Sequence, residues 1–211
     1  MARIEPFERH PAEYEEWFEK NHFAYYSELQ AVREQLPKSG EGLEIGVGTG
    51  RFATPLHVEF GVEPSPRMRG IAKHRGIEVV GGVAESLPFA DEQFDFVLMV
   101  TTVCFLDDID AACREARRVL RRTGHFIVGF VDSDSLLGKL YEKKKRDSEF
   151  YRIATFYSVD EIVSHLRRAS FGHFNVVQTI FHPLNEIEKV EPVVSGYGQG
   201  SFVVISARKE D

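Results

Sequence analysis

The chain has 211 residues, 43% hydrophobic and 28% charged, with a formal net charge of −7. That length suits one domain with a full core, and the acidic balance leaves no general footprint for nucleic acid. The longest apolar run, "FVLMVTTVCFL" at 96–106, is too short to cross a bilayer. The charged opening "MARIEPFERHPAEYEEWFEK" lacks the apolar stretch of a secretion signal, which predicts a cytoplasmic protein. Cys104 and Cys113 fit neither a CxxC nor a zinc spacing, so two reduced thiols and no metal centre are expected.

Residues 12–36 carry helical periodicity, with Tyr14, Trp17 and Phe18 on one face and Tyr25, Leu29, Val32 and Leu36 following. Asn21 and His22 break the run into two helices, and "PKSGEG" ends it. A first strand is predicted over 43–47. A glycine-rich turn then opens a helix near Gly50, which Pro55 keeps short. The second strand covers 57–62. Ser65 caps the next helix, Pro66 sits in its first turn, and Gly76 closes it.

Strands three and four are expected at 77–80 and 94–100, the latter apolar nearly throughout, as a strand covered on both faces must be. Asp107 or Asp108 starts an amphipathic helix, and the fifth strand covers 126–131. Ser158 with Glu161 reads as the capping box of a helix reaching Ala169. Strands at 174–181 and 201–207 have no helix between them and are expected as antiparallel neighbours. The whole predicts an α/β fold: a seven-stranded, mostly parallel sheet with an antiparallel last strand and helices on both faces. Residues 1–38 would form a helical cap and 39–211 the sheet domain, with insertions at 132–157 and 182–200 able to cover a substrate.

The stretch "LEIGVGTG" at 43–50 raises a specific question, because Gly46, Gly48 and Gly50 directly follow a strand. Without side chains, such a turn lets a ligand lie against the main chain, and the helix start offers free N–H groups. A plain tight turn is the bland alternative. Glu63 follows seventeen residues after Gly46, at the end of the second strand. An acid there either is solvated or accepts hydrogen bonds from both ribose hydroxyls of a nucleotide-like ligand.

These segments resemble the class I S-adenosylmethionine-dependent methyltransferases, in particular the small-molecule group of the ubiquinone/menaquinone-biosynthesis type. "LEIGVGTG" is similar to that family's (D/E)xGxGxG motif and "GVEPSPRM" to its ribose motif. "GGVAESLPFADEQFDFVLMV" resembles its adenine stretch, and "REARRVLRRTGHFIVG" the approach to its fifth strand. The resemblance implies a Rossmann-like fold and S-adenosyl-L-methionine as cofactor. It implies that Glu44 and the backbone of Gly46 hold the cofactor's amino group, while Gly48 and Gly50 admit its methionine part. Glu63 would hold the ribose, Pro64 and Met68 would pack near the adenine, and Ala84 and Glu85 would meet its edge. Thr101 would lie under the methionyl group. Val83 departs from the pattern, since the family usually has an Asp there.

The acceptor implied is a small molecule rather than nucleic acid. Tyr14, Trp17, Phe18, His22 and Tyr25 either pack as a cap or line its pocket. His22 could serve as a base or sit at the surface; no catalytic acid or base is assigned. Two rival readings remain: an S-adenosylmethionine sensor without catalysis, and an NAD(P)-dependent oxidoreductase. The latter's fingerprint is GxGxxG, whereas here the third glycine comes one residue early.

Overall fold

In a computed structural model, which describes residues 4–210, the alternating elements build one eight-stranded sheet. Its strands are β1 (Gly42–Ile45), β2 (Phe60–Val62), β3 (Glu78–Val80), β4 (Phe94–Val100), β5 (Leu120–Val131), β6 (Phe171–Thr179), β7 (Val194–Ser195) and β8 (Phe202–Lys209). They lie in the order β3-β2-β1-β4-β5-β8-β6-β7. The first five pair in parallel, and β8 runs antiparallel to both β5 and β6. This is the Rossmann-like arrangement expected, with one more strand than the seven predicted. The extra strand, β7, has two residues, too few to show a period of two.

Among the described residues, eight α-helices surround the sheet: α1 (Glu5–Arg9), α2 (Pro11–Lys20), α3 (His22–Gln35), α4 (Ala53–Leu56), α5 (Pro66–His74), α6 (Ile109–Val119), α7 (Leu136–Lys144) and α8 (Val159–Arg168). Successive side chains on a strand face opposite ways. Val97 and Met99 of β4 therefore pack with α6 and α8, while Phe96, Leu98 and Val100 pack with α3, α4 and α5. The caps read from the sequence form: Ser65 accepts from the Met68 N–H at 3.3 Å, and Ser158 and Glu161 make a full capping box. β5 starts six residues before the predicted 126, because α6 passes straight into pairing at Leu120. A register shift then sets His125 opposite Phe96. None of the described helices is long and apolar enough to cross a membrane.

Candidate active site

β1 and β4 are neighbours, but the chain leaves them towards opposite edges of the sheet. The loops after their carboxyl ends diverge and open a crevice, the usual ligand position in such sheets. Gly46 turns the chain at φ +69°, where an added Cβ would strike the Thr102 side chain. The Thr102 hydroxyl lies 3.3 Å from the Gly46 carbonyl and 3.0 Å from the Val100 carbonyl, tying the two loops together. Thr101, beside it, holds φ +51°, which is strained for a β-branched residue.

The glycine loop also docks on β2, with the Gly46 and Val47 N–H groups donating to the Val62 carbonyl at 2.8 and 3.0 Å. That places Glu63 against the loop. The Gly48 N–H donates to its Oε2 at 3.0 Å and the Ser65 N–H to its Oε1 at 2.8 Å. Burial pushes the Glu63 carboxyl up to about 7, against the pull of the Ser65 and Gly48 donors. Glu44 lies under the same loop, 2% exposed, with Oε2 unpartnered. Burial raises its pKa well above the carboxylate range, opposed by the Ala53 N–H and reinforced by Glu63.

One cavity covers this crevice. Gly46, Gly48, Glu63, Pro64 and Met68 line one part of it, and Ala84, Glu85 and Thr101 continue the wall. Glu85 Oε1 also accepts the N–H groups of Asp107 and Asp108 at 2.9 and 3.2 Å, bracing the turn before α6. Val83 bridges to Ser86 and offers no side-chain acceptor. Glu44 and Gly50 lie off the wall. An added Cβ on Gly50 would strike Ile77, so this glycine's bareness serves packing of the loop against the start of β3.

Tyr14, Trp17 and Phe18 face the cavity from α2. His22 and Tyr25 do not. His22 is exposed at the start of α3, and the buried Tyr25 donates its hydroxyl to the Arg51 carbonyl at 2.5 Å. α1 and α2 are fastened over the site by two acids. Glu8 takes the Ser65 hydroxyl at 2.5 Å, and Glu15 takes Arg51 and Arg75, each at 2.5 Å, together with the Thr49 hydroxyl. α3 differs from a detachable cap, since Ala24, Leu29 and Val32 join the core under the sheet.

The two insertions part company. The 132–157 segment gives Tyr141, Phe150, Tyr151 and Phe156 to the wall. The 182–200 segment packs on α3 instead, through the Glu191 N–H to Ser27 Oγ at 2.8 Å, and lines none of the cavity. Sequence reasoning also missed Glu28, a cavity-lining acid on α3. It stands three residues after Tyr25 and four before Val32, on the helix's apolar stripe, and an acid at that phase is the signal that could have found it.

The donor set fits an adenosyl sulfonium cofactor. Glu63 keeps lone pairs for hydroxyls and Gly48 presents bare main chain, while Glu44, with one oxygen unpartnered, lies buried behind the wall. A sequence profile described as a methyltransferase domain matches residues 43–128. An uncharacterized protein of Methanocaldococcus jannaschii is 46% identical over 203 residues, covering 96% of this chain and 98% of that protein. A crystal structure from Thermotoga maritima, of a SAM-dependent methyltransferase described as a possible histamine N-methyltransferase, has a TM-score of 0.96 at 54% identity. It spans 98% of this chain and 100% of that one. A demethylmenaquinone methyltransferase of a Roseiflexus species is 41% identical over 98 residues, 40% of either chain.

Proposed function

Because the chain belongs to the S-adenosylmethionine-dependent methyltransferases, we propose that its acceptor is a small molecule held in the aromatic part of the cavity. Membership of that family sets aside the dehydrogenase reading. The observation that carries the proposal is continuity: one cavity joins the glycine loop and Glu63 to a wall of aromatic side chains closed over by α1, α2 and the 132–157 segment. A pocket so enclosed suits a compact acceptor better than a polymer.

When bound, the cofactor supplies a sulfonium-activated methyl group, which a nucleophile displaces in line. Glu63 would accept from the ribose hydroxyls, and Pro64, Met68, Ala84 and Glu85 would enclose the adenine. The main chain at Gly46 and Gly48 would meet the methionine part, with Thr101 beside it and Glu44 behind the loop. The aromatic wall excludes water and fixes the acceptor's approach, and alignment of this kind can lower a barrier by roughly 7–11 kcal/mol. Cys104 and Cys113 form no disulfide, which fits a cytoplasmic site of action.

The test is methyl-labelled cofactor incubated with pools of small acceptors and, separately, with RNA and protein. Transfer to a small molecule alone is expected; label found only in RNA or protein would refute the acceptor class.

Glu63 makes binding pH-dependent. Hydroxyl donors favour its ionised form, so affinity for S-adenosylhomocysteine should rise as pH climbs through about 7 and then level off. The ligand-free fold shows the opposite trend. Unfolded glutamate releases its proton near 4.5 while the folded group holds it to about 7. This contribution to stability is therefore whole below 4.5 and is lost as pH rises through 7. Glu63→Gln should flatten the binding profile and weaken affinity by about 1.5–3 kcal/mol. Calorimetric titration at several pH values measures both, and an unaltered profile would remove Glu63 from the site.

A further inference from the structure

Away from the glycine loop, the cavity wall holds a carboxyl that the fold leaves unanswered. Glu28 is 4% exposed and lines the cavity. No described residue makes a hydrogen bond or ion pair with its carboxylate, and burial alone pushes its pKa up to about 8. Three other acids of the region are answered. Glu15 has Arg51 and Arg75, Glu63 has two main-chain donors, and Glu191 has the Phe181 N–H and His182. An unpaired buried carboxyl is costly, and the neighbouring stripe on α3 is apolar, so a hydrophobic residue would serve the fold better here.

Aromatic rings share the cavity with this acid. Trp17, Phe130, Tyr141, Tyr151 and Phe156 line the same cavity. Tyr141 and Tyr151 stack with centroids 4.6 Å apart, and Phe156 lies 5.6 Å from Tyr151. Burial first, then Glu28 for Tyr141 and Tyr141, Cys104 and Glu28 in turn for Tyr151, raise both tyrosine hydroxyls above their ordinary range, so they stay neutral. Ring faces attract a cation within about 6 Å, and a carboxylate at the same place adds a full opposite charge. An anion would meet Glu28 head on, and a neutral ligand would leave the acid unsatisfied.

We propose that this part of the cavity selects an acceptor bearing a protonated amine, with the ammonium on Glu28 and the carbon skeleton against the rings. The proposal rests on the methyltransferase reading and names its substrate class. Glu28 is assigned recognition. A protonated nitrogen has no lone pair to offer, so the methyl goes to an atom whose lone pair is free.

The chain's single tryptophan, Trp17, stands in this wall and reports its occupancy by fluorescence. Protein saturated with S-adenosylhomocysteine is titrated with phenethylamine, 2-phenylethanol and phenylacetate, which are cationic, neutral and anionic. Wild-type protein should bind the amine in clear preference to the other two. Glu28→Gln should weaken amine binding by about 30-fold or more, leave the alcohol unchanged, and keep S-adenosylhomocysteine affinity within about twofold by calorimetry. Glu28→Met, which fills the stripe with an apolar side chain, should lose the amine preference and melt at a higher temperature. Equal binding of the three probes, no binding of the amine, or a Glu28→Gln protein that keeps its preference would overturn the assignment. Failure of wild-type protein to bind S-adenosylhomocysteine would overturn instead the reading on which it rests.

Discussion

Gly48→Val is expected to reduce affinity for S-adenosylhomocysteine by more than about 100-fold while the chain stays folded. Gly48 holds φ +55°, and its Cβ position lies 3.1 Å from the Tyr14 hydroxyl and 3.8 Å from Met68 Cε. Forcing an L side chain into that conformation costs roughly 1–2 kcal/mol, well within the 5–15 kcal/mol typical of a domain. Binding suffers far more. Two added methyl groups would occupy the bare main chain against which the cofactor is proposed to rest, push Tyr14 outward and displace the N–H that meets Glu63. Calorimetry reads the affinity and thermal melting the fold. Gly48→Ala should fall between the two, and retained affinity in the valine variant would remove the loop from the site.

The second large effect concerns Glu15, which pins α2 to the glycine loop and to the end of α5. Burial would raise its carboxyl, but the hydrogen bonds from Arg75, Thr49 and Arg51 outweigh it and hold the pKa at about 2. Glu15→Ala should cost about 2–3 kcal/mol, because it removes several charge-assisted bonds at once and leaves Arg51 and Arg75 half-buried with fewer partners. The helix pair over the cavity loosens, so S-adenosylhomocysteine should also dissociate faster. Glu19→Ala is the control. Glu19 meets Arg51 at 2.9 Å but is 72% exposed, and such pairs contribute about 1 kcal/mol or less. The sign with pH follows from a depressed pKa: the stabilisation is whole above 4.5 and is lost as pH falls through about 2. Glu15→Gln should therefore flatten the acid limb of the melting profile. A melting temperature unmoved by Glu15→Ala would show that α2 is held by its aromatic contacts alone.

The glycine-loop half of the cavity was legible because local rules fixed it. Three glycines after a strand, an acid at the end of the next strand, and Ser65 ahead of Pro66 each dictate a conformation within a few residues. Gly50 shows where that logic stops. Its bareness was readable, but whether a ligand or Ile77 faces it depends on how the loop meets β3. The acceptor half needed the tertiary structure, since its wall combines α2, α3, β5 and the 132–157 segment. Nothing local distinguishes Tyr25, which turns to Arg51, from Tyr14, which turns to the cavity. Glu28 lies between these cases. Its helical phase announces burial, but only the cavity it shares with Tyr141 and Tyr151 shows a chamber rather than a core.

A crystal structure with S-adenosylhomocysteine bound tests the central claim most directly. The expected result is a ligand lying on the main chain of Gly46 and Gly48, its ribose hydroxyls donating to Glu63 and its sulfur facing the aromatic chamber that Glu28 lines. A ligand seated elsewhere, or one in this crevice whose ribose makes no contact with Glu63, would contradict it.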